Sequence, residues 1–169
     1  MFFAALLSLA LSGPAETDPL APAREGMAQC YTPNKAARTC RALANYEFHA
    51  DGTITNYAVV LVNPTPLIVM RAETMVHISH GAVCGTSSDS DIRGFVIDGQ
   101  TLAGPLDQQL RDASAAMRAA GPQGETCTTY IAGPDGALAY SVSVGGQSQP
   151  DTGDTVLWVN PNEGWKVAP

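Results

Sequence analysis

Four cysteines, Cys30, Cys40, Cys84 and Cys127, stand in a chain of 169 residues, and their pairing constrains the fold more than any other feature of the sequence. An even number of cysteines reads as a disulfide framework wherever thiols oxidise. No Cys-x-x-Cys or Cys-x-x-His pair occurs, so the spacing of a structural zinc site is missing. Of the three connectivities that four cysteines allow, Cys30 with Cys40 and Cys84 with Cys127 is the favoured one. The first pair brackets Tyr31-Thr32-Pro33-Asn34-Lys35, whose Pro-Asn dipeptide turns the chain locally. The second closes a long loop, which on chain entropy stabilises the fold by about 4 kcal/mol.

The amino terminus argues for an oxidising compartment. Residues 2–11 read Phe-Phe-Ala-Ala-Leu-Leu-Ser-Leu-Ala-Leu, an uncharged run well short of the about 20 apolar residues that span a bilayer. Such a run fits a signal-peptide core, with Gly13-Pro14-Ala15 as cleavage site and Ala10-Leu11-Ser12 as the second choice, although no Lys or Arg precedes it. Cys30 follows Met27-Ala28-Gln29 rather than a lipobox. The expected organisation is a signal peptide over 1–15, a disordered linker over 16–28, and a single disulfide-stabilised domain over 29–169. No later stretch has the length and hydropathy of a transmembrane segment, so a periplasmic or secreted protein is expected.

About 150 residues would remain after cleavage, enough for one core that buries roughly two thirds of the unfolded surface. The net charge of −7, from 16 Asp and Glu against nine Lys and Arg, speaks against nucleic acid and anionic membranes as partners. An Asn-x-Ser/Thr sequon occurs only as Asn63-Pro64-Thr65, which proline disqualifies.

A partial repeat organises the body. Tyr46 is followed by Asp51-Gly52, Ile54 and Tyr57; Tyr130 is followed by Asp135-Gly136, Leu138 and Tyr140. Asp-Gly suits the positive φ values of tight turns, so each unit reads as a β-hairpin. Residues 58–62 are apolar on both alternating faces, as in a central strand covered on both faces. Leu138, Tyr140, Val142 and Val144 share one strand face, and Ala72, Thr74, Val76 and Ile78 share another. A short strand is expected at Ile92–Ile97, and a terminal hairpin from 155–159 and 165–167. Gly104-Pro105 opens a helix carrying Leu106, Leu110, Ala113 and Met117 as an apolar stripe, and Gly121-Pro122 stops it. The fold class expected is α+β: a mostly antiparallel sheet built from β-hairpins, with one main helix, about 104–120, packed on it.

Chemical motifs are sparse. His77 and His80 form His-x-x-His, but residues three apart on a strand face opposite sides. A metal-dependent hydrolase or metal-binding protein would have to draw on His77, His80, Asp89 and Asp91 together. Residues 85–91, Gly-Thr-Ser-Ser-Asp-Ser-Asp, form the most polar loop, without the sixth-position Gly or terminal Glu of a calcium-binding EF-hand. Loops carry function disproportionately, so Thr86, Ser87, Asp89 and Asp91 are candidate binding residues. Trp158 and Trp165 join them as stiff aromatic contact area, and Tyr46, Tyr57, Tyr130 and Tyr140 recur in the hairpins. No Gly-x-Ser-x-Gly, Ser-x-x-Lys or phosphate loop is present. The expectation is a non-catalytic exported protein without a cofactor, binding an envelope or extracellular protein or a small ligand, with a structural envelope component as a further alternative.

Overall fold

A computed structural model describes residues 18–150 and 153–169. The expected signal peptide lies outside the described residues. In chain order the elements are α1 (Ala21–Arg24), β1 (Ala28–Tyr31), β2 (Thr39–Cys40), β3 (Ala42–Phe48), β4 (Ile54–Pro64), β5 (Leu67–Ser79), β6 (Ala82–Gly85), β7 (Ile92–Ile97), β8 (Gln100–Thr101), α2 (Pro105–Ala120), β9 (Thr126–Ala132), β10 (Ala137–Val144), β11 (Gln147–Ser148), β12 (Thr155–Val159) and β13 (Lys166–Val167). Short 3-10 turns lie at Asp89–Asp91, Pro134–Gly136 and Pro161–Glu163.

The expected open α+β sheet is corrected by closure. The strands run β4-β3-β1-β12-β10-β9-β6-β5, and β5 pairs back to β4, so eight antiparallel strands form a barrel. The described residues are mostly β, 49% in strands against 19% helical, with one main helix. Closure leaves the barrel strands without free edges, which a stack of open hairpins would not do. Two strands of four residues each complete the circle: β1 between β3 and β12, and β6 between β5 and β9.

Both Asp-Gly hairpins form as expected, β3 to β4 around Asp51-Gly52 and β9 to β10 around Asp135-Gly136. Asp51 Oδ1 accepts from the Thr53 amide at 3.0 Å and its hydroxyl at 2.7 Å, bonds that hold the carboxyl below its ordinary range. Gly52 sits at φ +87, open space around it, where a β-carbon would be strained by the backbone conformation alone.

Register decides what points inward. Gln29 stands opposite Ala44 and Trp158, Tyr31 opposite Val156, Tyr46 opposite Asn56, Asn56 opposite Thr74, Tyr130 opposite Tyr140, and Val83 opposite both Ile78 and Thr128. Paired residues share a face, so all of these line the inside. The expected alternations of β5 and β10 are both present, with Arg71, Met75 and His77 turned to solvent.

One end of the barrel is plugged by the segment whose composition suggested a disordered tether. Residues 18–28 instead make α1 and enter β1, burying Leu20 completely and Ala23 almost so against Ile54 and Val83, with Phe48, Ile78 and Trp158 around them. Composition misled because α1 spans one turn and its anchor is a single leucine. Asp18 Oδ1 accepts from the Leu20 amide at 2.9 Å, and the Arg24 guanidinium lies 3.9 Å from the Phe48 ring centroid.

Outside the barrel wall a second cluster gathers Ala28, Cys30, Cys40 and Val159, with Leu43, Leu157 and Trp165 against it. It is covered by β13, which pairs in parallel with β2 through Lys166 with Thr39 and Val167 with Cys40. The expected terminal hairpin is thereby corrected. Gly164 takes a left-handed φ of +78 and turns the chain away from β12 towards β2. The two disulfides are Cys30–Cys40, with Cα atoms 5.4 Å apart, and Cys84–Cys127, which joins directly opposed residues of β6 and β9 at 4.1 Å.

The helix is placed differently from its expected role. α2 spans Pro105–Ala120 with no fully buried residue; Leu106 is 45% and Met117 66% exposed. It does not lie on the barrel body but beside β7 and the 89–91 turn. Arg111 fixes it there, pairing with Asp107 at 2.7 Å and donating to the Ile92 carbonyl at 2.7 Å. The other edge of β5 pairs β6 over 76–79 but β7 over 68–72, so the wall flares at the end opposite the plug.

Candidate functional site

An eight-stranded barrel is just wide enough to be packed solid by side chains or to hold one small ligand. At the plugged end Leu20, Ala23, Ile54 and Val83 fill this barrel as a buried apolar cluster. Above the plug lies a chamber of about 160 Å³ lined by Tyr31, Tyr46, Asn56, Thr74, Val76, Val83, Gly85, Ser87, Thr126, Thr128 and Tyr130. None of these side chains carries a charge at neutral pH, yet most are polar.

The polar groups converge on Gln29, which is fully buried. Its Oε1 accepts from the Tyr46 hydroxyl at 2.6 Å and lies 3.1 Å from the Tyr31 hydroxyl and 3.3 Å from that of Tyr130. The Tyr31 and Tyr130 hydroxyls are 2.6 Å apart, so one donates to the other and the remaining proton goes to Oε1. All three phenolic protons are thus spent, while Gln29 Nε2 is buried with no hydrogen-bond partner among the described residues. A buried amide nitrogen left unpaired costs about 1–3 kcal/mol. Asp107 Oδ1 and Trp165 Nε1, and Arg118 Nη2 apart from its ion pair with Asp89, are left in the same way, and each such group calls for an explanation in strain, in function or in an ordered water or ion.

Burial dominates the electrostatics. It raises the Tyr31 phenol well above its ordinary value, helped by the neighbouring Tyr130 and Tyr46, and it raises Tyr46 and Tyr130 in the same direction. The cluster therefore donates and accepts hydrogen bonds as neutral groups throughout the physiological range. Tyr140 meets Tyr31 edge to face, the ring centroids 5.6 Å apart, and holds it in place.

Thr74 and Ser87 line both this chamber and a second cavity of about 420 Å³ at the flared end. The two spaces adjoin there. The outer cavity is lined by Val62, Met70, Ala72 and Ile92 on the sheet side and by Ser114, Met117 and Arg118 of α2. Its rim is the polar loop at 85–91. Asp91 accepts from the Ser88 amide and hydroxyl, each at 2.8 Å, and from the Thr74 hydroxyl at 3.3 Å. Asp89 pairs with Arg118, tying the loop to α2.

The sequence-derived candidates scatter. Ser87 and Asp91 line the cavities, Asp89 braces the rim, and Thr86 is an exposed residue just ahead of them in the loop. Trp158 packs near the plug and Trp165 against the outer cluster, both half-buried and neither lining the chamber. His77 lies on the outer face of β5 near Glu125, and His80 sits in the β5–β6 turn at φ +50, so the two histidines do not converge. Among the described residues the group of three potential metal ligands is His77, Cys84 and Glu125, and the Cys84 sulfur is committed to its disulfide. The structure does not assemble His77, His80, Asp89 and Asp91 into one centre.

Sequence reasoning missed Gln29, Tyr31, Asn56, Thr74, Thr126 and Thr128. The recurrence of Tyr46 and Tyr130 at equal distances before Asp-Gly was the available signal, and register turns both inward. A larger cleft of about 700 Å³ lies outside the barrel beside Lys35, Arg41 and Pro169. Its buried polar side chain, Thr39, already donates to the Pro169 carbonyl at 3.3 Å, so that cleft has no unmet group comparable to Gln29. No helix among the described residues is long and apolar enough to cross a membrane. No known protein family matches this chain, and neither a curated protein nor a solved structure resembles it.

Proposed function

We propose that this protein is a small-ligand-binding barrel that works in the periplasm or outside the cell, its ligand entering at the flared end and seating in the tyrosine-lined chamber. One observation carries the reading: a fully buried glutamine with three phenols on its oxygen and, among the described residues, no partner for its nitrogen, beside a polar chamber that adjoins the outer cavity. A barrel interior meant only for stability would be filled with apolar side chains, because unpaired buried polar groups oppose folding. The two disulfides support an oxidising compartment and a stiff wall. The 85–91 loop serves as the rim.

Binding of the uncharged dye Nile red, followed by fluorescence, tests this. The wild-type barrel is expected to bind it saturably. Thr128→Phe fills the chamber from β9 and is expected to weaken binding at least tenfold while the far-UV spectrum stays that of the wild type. Equal binding by the filled variant would remove the chamber from consideration.

A further inference from the structure

The two adjoining spaces differ in chemistry, and the difference selects a class of ligand. We infer that the ligand is an uncharged amphiphile, seated head first, with a hydrogen-bonding oxygen among the chamber's phenols and an aliphatic tail running out under α2. The inference rests on the binding function proposed above and adds the identity of the ligand class.

The head is uncharged because the chamber has nothing to neutralise it. Tyr31, Tyr46, Asn56, Thr126, Thr128 and Tyr130 offer hydroxyls and an amide, so an ion that gave up water to sit among them would find no counter-charge in the lining. The phenols themselves are held neutral by burial. With their protons already committed to Gln29 and to one another, the hydroxyl oxygens keep free lone pairs, which accept a hydrogen bond. A hydroxyl or primary amide head both donates and accepts, and so satisfies this cluster.

The tail follows from the outer cavity. Met70, Ala72, Ile92 and Met117 give it apolar walls, and Met117 is 66% exposed on a helix that otherwise had the sequence pattern to bury it. A tail lying between Met117 and Met70 would cover that surface, and flexible methionines adapt to such chains. The charged groups of the rim are already engaged, which disfavours an ionic head in the reverse orientation. Arg118 is paired with Asp89, and both Asp91 oxygens already accept hydrogen bonds.

Calorimetric titration at pH 8 with decanol, decanoate, decylammonium and glycerol, each against the whole protein, separates the parts of the claim. Decanol is expected to bind at least tenfold more tightly than decanoate or decylammonium, and glycerol at least a hundredfold more weakly. Tyr46→Phe is expected to cut the preference for decanol over decanoate at least threefold, and Met117→Lys to weaken decanol at least fivefold, with the Tyr46 variant's tail contacts unaffected. Decanoate binding as tightly as decanol overturns the uncharged head but leaves the binding barrel standing, and its loss in Arg118→Ala would show the reverse orientation. Glycerol binding as tightly as decanol overturns the tail. Failure of all four compounds, together with failure of Nile red, removes the binding function itself.

Discussion

Gln29 is the residue on which the interior depends. Its Oε1 gathers the hydroxyls of tyrosines from β1, β3 and β9, so it links three parts of the wall that are remote in sequence. Gln29→Leu would strand those hydroxyls, and the expected loss is about 2–4 kcal/mol, the cost of leaving one or two buried donors unmet. Tyr46→Phe removes one donor and leaves a satisfied pair, so about 1 kcal/mol is expected. Urea denaturation measures both, and a loss for Tyr46→Phe equal to that for Gln29→Leu would contradict the network. The same phenols set an alkaline limit. Their folded values are raised by burial, so the unfolded chain releases protons first. The stability they contribute is complete below about pH 10, the ordinary phenol value, and is lost as the pH climbs from there towards the raised folded values. Absorbance at an ultraviolet wavelength that reports phenolate is expected to show Tyr31, Tyr46 and Tyr130 ionising only together with loss of the near-ultraviolet circular dichroism. Reversible ionisation of these three in the intact fold would disprove their burial.

At the scale of elements, sequence legibility tracked length. The strands of six or more residues announced themselves: β5 through Ala72, Thr74, Val76 and Ile78, β10 through Leu138, Tyr140 and Val142, and β7 at its observed bounds. β1 and β6 are four residues each, too short for a two-residue period to stand out, and they are the strands that complete the ring. The hairpins were therefore readable while their closure was not, because pairings such as Gln29 with Trp158 are set by the whole wall. α2 was readable as a helix but not in its placement. The stripe of Leu106, Leu110 and Met117 pointed to burial against a sheet, whereas Leu106 and Met117 are exposed, Met117 over the outer cavity. Met117→Lys is accordingly expected to change stability by no more than about 0.5 kcal/mol while weakening Nile red binding severalfold. Thermal denaturation with and without dye checks this, and a large loss of stability without dye would place Met117 in a true core.

For the whole molecule, rigidity comes from closure and from cross-links on its wall. The disulfide pairing was legible from turn chemistry at Pro33-Asn34 and from loop length, and both bonds lie where spacing placed them. Cys84 and Cys127 are 43 residues apart and clamp β6 to β9. Replacing both with alanine is expected to cost about 4 kcal/mol by loop entropy. Denaturant titration of that variant reads the loss, and one below about 1 kcal/mol would show that the seam holds without its clamp. The charge pattern left the site hidden for a physical reason: the chamber is built from neutral side chains, so no cluster of ionisable residues marked it in the sequence. Its location is the central claim. Titration of the protein with decanol, followed by nuclear magnetic resonance of the tyrosine rings, tests it most directly. Saturable shifts at Tyr31, Tyr46 and Tyr130, absent from Thr128→Phe, are the predicted result; shifts confined to residues around Lys35 and Arg41, with the three rings unmoved, would contradict it.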